Sequence, residues 1–469
     1  MKPGIITCAA PGLLGVQDAS RLLLTAGLAK QTLWNTPSPQ AAAAGAPGWV
    51  VGAAKVDVTP DYPVRLNGYG GRRTEHEGVA QRIFAKAIAI GGDADGPAVL
   101  LTVDNLGVRA AMRDEIVGRL EAKTGIANSR LAICASHTHR APMLAGVAPN
   151  LFSMDIPPDH RERIQRYTGE FTDKLEQVAL AALADRQPAH LAWGYGHVSF
   201  AHNRRNMVFR PEDHSLPVLQ VTDVDGKVRA FFTSYACHCT TTAFNTVHGD
   251  WAGCAQEQIE KDFPGAVALT ALGCGADQNP NPRSTVELVE QYGRDVAAEV
   301  KRVVEGKLTP LTGGLECRAK TIALPFAKLP TRAEWEEKAK GPAEAIAYHA
   351  QKNLARLDRG ESIPTELSYL VQAWSFGDGL AMVFLPGEIT VDYSLRLKLE
   401  LDSQRLWVNG YANDVSCYIP SERVLAEGGY EGGGAMVYYD RPERFAPGIE
   451  ERILGAVREL VPETFQRPR

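Results

Sequence analysis

The chain has 469 residues, 45% hydrophobic and 22% charged, with 50 Lys+Arg against 55 Asp+Glu for a formal net charge of −5. This is an ordinary globular composition, with room for one large domain or two to three medium ones and no basic excess suited to nucleic acid or an anionic membrane. Its eight cysteines include no C-x-x-C pair, which argues against a thiolate zinc ribbon, and no apolar run reaches the ~18 residues of a membrane helix, so no stable membrane insertion is expected.

Residues 1–47 read as a leader or poorly ordered arm. Gly4 to Val16 has the length of a signal-peptide core, but only Lys2 supplies charge before it and Pro11-Gly12 interrupts it. Export and cytoplasmic residence both stay open. Residues 37–47, with four alanines at 41–44, form a low-complexity linker, and residues 48–469 are expected to fold as one large domain.

Strands are predicted at 50–58, 83–90 and 98–103, the last ending at Asp104-Asn105. Between the first two, Leu66-Asn67-Gly68-Tyr69-Gly70-Gly71 is a glycine-rich loop without G-K-[ST], so it is no phosphate loop. Ile116 and Leu120 give 112–123 a helical spacing, and an apolar strand follows at 131–135. This strand–helix–strand rhythm predicts an α/β fold, a mixed β-sheet core flanked by helices. The strand at 131–135 runs into Ser136-His137-Thr138-His139. In extended backbone alternate side chains share a face, so His137 and His139 would point the same way, as a transition-metal site or as a solvated strand end.

A helix is predicted over 161–184, with Ile164, Phe171, Leu175, Val178, Ala179 and Ala182 on one stripe. Strand residues 189–200 lead to His202-Asn203-Arg204-Arg205. Residues 218–222 and 229–235 flank Asp225-Gly226 as a hairpin and enter Cys237-His238-Cys239. Alternation turns His238 away from both cysteines, so one ion could not take all three, and His238 alone stays a ligand candidate. A polar loop with Asn245, His248 and Asp250 precedes a helix at 252–262. The strand at 266–272 ends in Gly273-Cys274-Gly275-Ala276-Asp277-Gln278-Asn279, whose small residues suit close approach to a ligand or a tight structural loop.

Helices are predicted at 285–305 and, as a charged peripheral insertion near 330–360, at 333–357. A strand at 380–384 turns through Pro386-Gly387 into Glu388, and a helix at 390–400 puts Glu388 near a helix N-terminus, which favours its ionised form. Tyr418 and Tyr430, the latter within Gly428–Gly434, read as a binding wall or as packing tyrosines.

Five stretches together resemble the N-terminal catalytic domain of the neutral/alkaline ceramidases. They are the Asn67-Gly68-Tyr69 loop with its following strand, Ala135-Ser136-His137-Thr138-His139, Asn203-Arg204, the segment His238 to Asp250, and Pro386-Gly387-Glu388. Tyr418 and Gly429-Tyr430-Glu431-Gly432-Gly433 add to them. The resemblance covers about Val51 to Tyr439 and implies a single large catalytic domain with one Zn2+ held by His137, His238, Glu388 and Tyr418. It implies His139 as a histidine behind the ligands and Arg204 and Tyr430 on the substrate side. The chain would then be a zinc-dependent hydrolase of an N-acyl amide or ester, acting on a small molecule through a metal-activated water. Two departures qualify the substrate. Asn279 stands where the family has an active-site serine, and no immunoglobulin-like domain follows the Tyr430 region. The expected substrate is therefore smaller or more polar than ceramide.

Two other readings compete. A two-metal phosphoesterase would use Asp104, Asp250 and Asp277 beside the histidines. A degenerate member would bind a glycan or lipid at the old site, which the intact set of ligand residues argues against.

Overall fold

The computed structural model describes residues 48–94 and 96–466, so the reading of residues 1–47 lies outside the described residues. The chain opens with β1 (Trp49–Asp57), β2 (Phe84–Ile90) and β3 (Ala98–Val103), crosses over through α1 (Ala110–Thr124), and returns as β4 (Leu131–Ala135), parallel to β3. Helix α2 (Pro158–Ala184) starts on a proline, whose missing N–H costs nothing in a first turn, and leads to β5 (Gln187–His197). After the short β6 (Ala201–Asn203), β7 (Ser215–Asp223) and β8 (Val228–Tyr235) form the predicted hairpin. A second crossover, α3 (Asp250–Asp262), returns as β9 (Val267–Leu272), parallel to β8. Then come β10 (Gln278–Pro280), α4 (Val286–Glu305) and β11 (Thr309–Pro310).

Among the described residues these strands form one mixed sheet in the order β4-β3-β2-β1-β5-β7-β8-β9, with β11 beside β5 and the β6–β10 pair apart. The sheet curls until β9 comes back against β2, β3 and β4. That curl brings the C-terminal ends of β4 and β8, far apart in the strand order, to one place.

The remaining elements are β12 (Leu315–Pro325), α5 (Arg332–Lys338), α6 (Glu344–Asp358), β13 (Glu366–Phe376), β14 (Leu380–Phe384), β15 (Glu388–Ile389), α7 (Val391–Glu400), β16 (Leu406–Asn409), β17 (Tyr418–Ile419), α8 (Glu422–Glu427) and α9 (Ile449–Leu460). Strands β12-β13-β14-β16 make a second sheet. Alternate strand residues of the first sheet sort into two cores. Val99, Leu101, Ile133 and Phe231 pack with Ile116, Leu120, Phe171, Val178 and Ile259 of the helices. Ile88, Leu100, Leu219, Phe232 and Leu269 pack with Trp374, Met382, Phe384 and Trp407 of the second sheet. Phe232 stacks on Trp407 at 4.7 Å between ring centroids across that interface.

The α/β class with a mixed sheet flanked by helices is what the sequence predicts, but the second sheet is broader than its one predicted strand at 380–384. In β12 the charged residues Glu316, Arg318 and Lys320 alternate on an exposed face, a period-two strand signal that is not among the predicted strands. The helix predicted over 333–357 is two helices. Pro342 lacks an N–H and pushes Gly341 out of helical conformation, which separates α5 from α6.

Candidate metal centre

The centre is assembled where the curled sheet brings its edges together. Strand β4 stops at Ala135, and His137 adopts φ 52°, a left-handed conformation uncommon for a non-glycine residue. The prediction that His137 and His139 share a strand face is therefore corrected. They converge because the backbone turns at His137, and their Nε2 atoms lie 3.2 Å apart. A parallel bridge between Thr138 and Cys239 ties this turn to the one after β8. Gly68, at φ 92°, faces the His139 ring so closely that a Cβ would lie 2.5 Å from it. Arg72 clamps the two loops, donating from one Nη to Asn67 O at 2.5 Å and His139 O at 2.6 Å.

His238 enters from the other edge. Its Nδ1 is 2.8 Å from Gly275 O, and the His137 Nδ1 is 2.6 Å from Leu106 O. A carbonyl only accepts, so each Nδ1 carries the proton and each Nε2 presents a lone pair. Glu388 Oε2 lies 3.2 Å from His137 Nε2 and 3.1 Å from His238 Nε2. Three electron-rich atoms thus face one point in a buried site: His137, His238 and Glu388 are 0%, 0% and 1% exposed. Such a set is repulsive unless a cation or an added proton sits among them. The ligand atoms of His137, His139 and His238 all fall within 4.8 Å of one another, a spacing compatible with a metal ion. Cys237 and Cys239 flank His238, but both are buried and neither joins this group, as alternation predicts.

Glu388 and Tyr418 arrive as a pair. They are register partners in the two-residue parallel ladder of β15 and β17. The Tyr418 hydroxyl is 3.5 Å from His238 Nε2 and accepts a 3.0 Å bond from Arg204. Tyr439 donates to the other oxygen of Glu388. Burial alone would raise the Glu388 carboxyl; once a proton sits on the facing imidazoles, they outweigh burial and hold it well below the usual carboxylate range. Burial, then Arg204, lowers His238 to about 4. Burial and the neighbouring imidazoles also hold His139 well below its ordinary value, and its buried Nδ1 has no hydrogen-bond partner among the described residues. The nitrogen and oxygen donors fit a zinc-type ion, with His137, His238, Glu388 and Tyr418 as candidate ligands and His139 beside them.

Above the centre opens a cleft of about 630 Å³ lined by Gly68, Tyr69, His139, Arg204, Asn279 and Tyr430 among others. Arg204 organises it, donating to Tyr418, to Glu431 at 2.8 Å and to Asn279 Oδ1 at 3.3 Å. Tyr430 is 46% exposed with its ring 5.2 Å from that of Tyr418.

Other expectations change. Asp277, rather than Glu388, sits at the N-terminus of α7, accepting from Val391 N–H at 2.9 Å. Burial raises it to about 6. The small residues around Gly275 serve a backbone crossing, since a Cβ on Gly275 would lie 2.7 Å from Cys237 N. Asp104 accepts from Gln256, Asp250 from the N–H groups of Thr241, Thr242 and Trp251, and Asp277 from Asn203. Each carboxylate thus has its own internal role, and none joins the metal-spaced group found among the described residues, which removes the footing of the two-metal reading. Sequence reasoning missed Arg72, Tyr439 and Glu431. The first has no local signal, whereas Tyr439 and Glu431 lie in or just beyond the glycine-rich stretch already singled out.

Two facing sheets under helices, with a buried three-imidazole cluster at the mouth of a polar cleft, define an α/β domain whose cluster is compatible with a metal site. The chain belongs to the neutral/alkaline non-lysosomal ceramidase family, whose N-terminal domain it matches over residues 49–359. Neutral ceramidases of Drosophila melanogaster and Drosophila pseudoobscura pseudoobscura are 23% and 22% identical to it, over 49% of this chain and 36% of each relative. The match thus spans about a third of those proteins' length. A solved ceramidase complexed with C2 superposes with a TM-score of 0.68 at 19% identity, over 89% of this chain and 76% of the other. The neutral ceramidase from Pseudomonas aeruginosa gives a TM-score of 0.67 at 19% identity, over 90% and 76%. At such identity these two likenesses show a shared fold.

Proposed function

We propose that the protein is a zinc-dependent hydrolase that cleaves an N-acyl amide or ester of a substrate smaller or more polar than ceramide. The observation that carries this reading is the meeting of the His137 and His238 Nε2 lone pairs with Glu388 Oε2 at 3.1–3.2 Å in a fully buried site. When bound, zinc supplies a Lewis acid for the scissile carbonyl and lowers the pKa of a coordinated water to ~7. The chain's own groups do the rest. His139 is neutral, lines the cleft and adjoins the centre, so it can take a proton and return it to the leaving group. The Tyr430 hydroxyl can donate to the oxygen that gains charge. Arg204 holds Tyr418 in place by the donation to its hydroxyl.

Ceramide is set aside because Asn279, bonded to Arg204 and Thr240, occupies the place where the family resemblance expects a serine. An amide there cannot ionise as a hydroxyl can, and an unmatched polar group costs ~1–3 kcal/mol. Residues 48–469 are taken as the catalytic unit and residues 1–47 as dispensable for the fold. Metal analysis of the purified protein with a panel of short N-acyl and ester compounds tests the reading. We expect one zinc per chain and chelator-sensitive cleavage of a short compound. Efficient turnover of long-chain ceramide, unimproved by Asn279→Ser, overturns the substrate half, and metal-free activity overturns the chemistry.

A further inference from the structure

The polar groups of the cleft are unequally occupied. Asn279 Oδ1 accepts from Arg204 Nη1 at 3.3 Å and from Thr240 Oγ1 at 3.4 Å, which fixes the amide's orientation. Its Nδ2 hydrogens then point away from both donors and meet no acceptor among the described residues. Glu431 is the carboxylate of the cleft, and both its oxygens are engaged. Oε1 takes Arg204 Nε at 2.8 Å and Oε2 takes Arg205 Nη1 at 2.6 Å. Arg283, four residues beyond Asn279, lines the same cleft, is exposed, and has no carboxylate or hydrogen-bond partner among the described residues. Its charge is felt across the cleft at the Tyr69 hydroxyl. Glu431 pairs with Arg204, and Glu427 joins it in pairing with Arg205, so Arg283 is the arginine of the lining left without a carboxylate among the described residues. The cleft therefore offers an unpaired guanidinium and a free amide N–H on its Asn279 side.

We infer that the substrate is an N-acyl compound bearing a carboxylate close to the scissile amide, gripped by the Arg283 guanidinium and the Asn279 amide. This deepens the hydrolase reading and rests on it. A guanidinium fork matches a planar carboxylate, and the free amide N–H supplies a further donor. A neutral hydroxylated substrate would leave Arg283 without a counter-charge and would gain nothing from it.

The test uses matched acid and carboxamide pairs on the metal-loaded protein. N-hexanoylglycine carries the charge on the amine side and N-hexylsuccinamate on the acyl side, each against its uncharged carboxamide. Turnover is followed by amine release and binding by calorimetry. At least one acid should be preferred over its carboxamide tenfold or more, and Arg283→Glu should collapse that ratio at least tenfold while Arg283→Lys keeps part of it. If no compound is cleaved but an acid binds preferentially and Arg283→Glu abolishes the preference, the anion site stands and the hydrolase reading falls. If compounds are cleaved with acid and carboxamide equal, or no acid is preferred in binding, the inference is overturned.

Discussion

His137 and His238 are 0% exposed, and each has its Nδ1 tied to a backbone carbonyl, whereas Tyr430 is 46% exposed and Arg283 has no partner among the described residues. The centre hangs on the sheet, with loops from β4, β8 and β14 cross-tied by backbone bonds. The cleft rim hangs on side chains, chiefly the fork of Arg204. Groups of the first kind are over-determined and set which reaction can occur. Groups of the second kind can change one at a time and set what is admitted.

If that division is right, changes at the centre lower turnover of every substrate together, and changes at the rim alter ratios between substrates. The largest effect is expected from His238→Ala. It should cut hydrolysis of all substrates by roughly 10³-fold or more and strip the metal, checked by kinetics and elemental analysis. Full zinc content in that variant would remove His238 from the centre. Tyr430→Phe should lower kcat by about 10²-fold while metal content stays whole, since it deletes a donor to the developing oxyanion and no ligand. Gly68→Ala should cost about tenfold in kcat for all substrates with metal retained, because a Cβ 2.5 Å from the His139 ring must displace it. Asn279→Ser, a rim change, should shift the ratio between hydroxylated and carboxylated substrates by about tenfold and leave the metal alone.

The smallest effect concerns pH. Burial, then Arg140, lowers His248 to about 3, and its Nδ1 accepts from Asp250 N–H beneath the His137–His139 turn. The folded state therefore binds this proton less readily than the unfolded chain, whose ordinary value is 6.5. Its stabilisation is complete above 6.5 and is lost progressively as pH falls toward 3. Between pH 6.5 and 5 the loss should reach roughly 2 kcal/mol. His248→Asn, which can still accept the Asp250 N–H, should flatten the melting temperature over that window. An unchanged slope would show that His248 titrates freely in the fold.

The strands at 83–90, 98–103 and 131–135 were legible as short apolar runs, the helix at 161–184 by its repeating stripe and the hairpin at 218–235 by its central Asp225-Gly226. The curl of the first sheet was not, since it depends on which edges meet. For the same reason the alternation rule grouped His137 with His139 rightly but by the wrong geometry: the left-handed turn at His137 leaves no mark in residue order. Glu388 was found through the family resemblance, but its link to Tyr418 by register, and to Tyr439 by hydrogen bond, belongs to tertiary structure alone.

The Glu388–Tyr418 ladder also has a consequence for how the protein is made. The candidate donors of the centre come from positions 137, 238, 388 and 418, and Tyr439 must follow before Glu388 has its last partner. Synthesis runs from the N-terminus, so a nascent chain can build the first sheet and both histidine turns long before the carboxylate and phenol exist. During that interval the two imidazoles stand open to whatever ion the surroundings hold. Ion choice in the cell is thus expected to depend on the order in which the halves emerge as well as on the finished donor set.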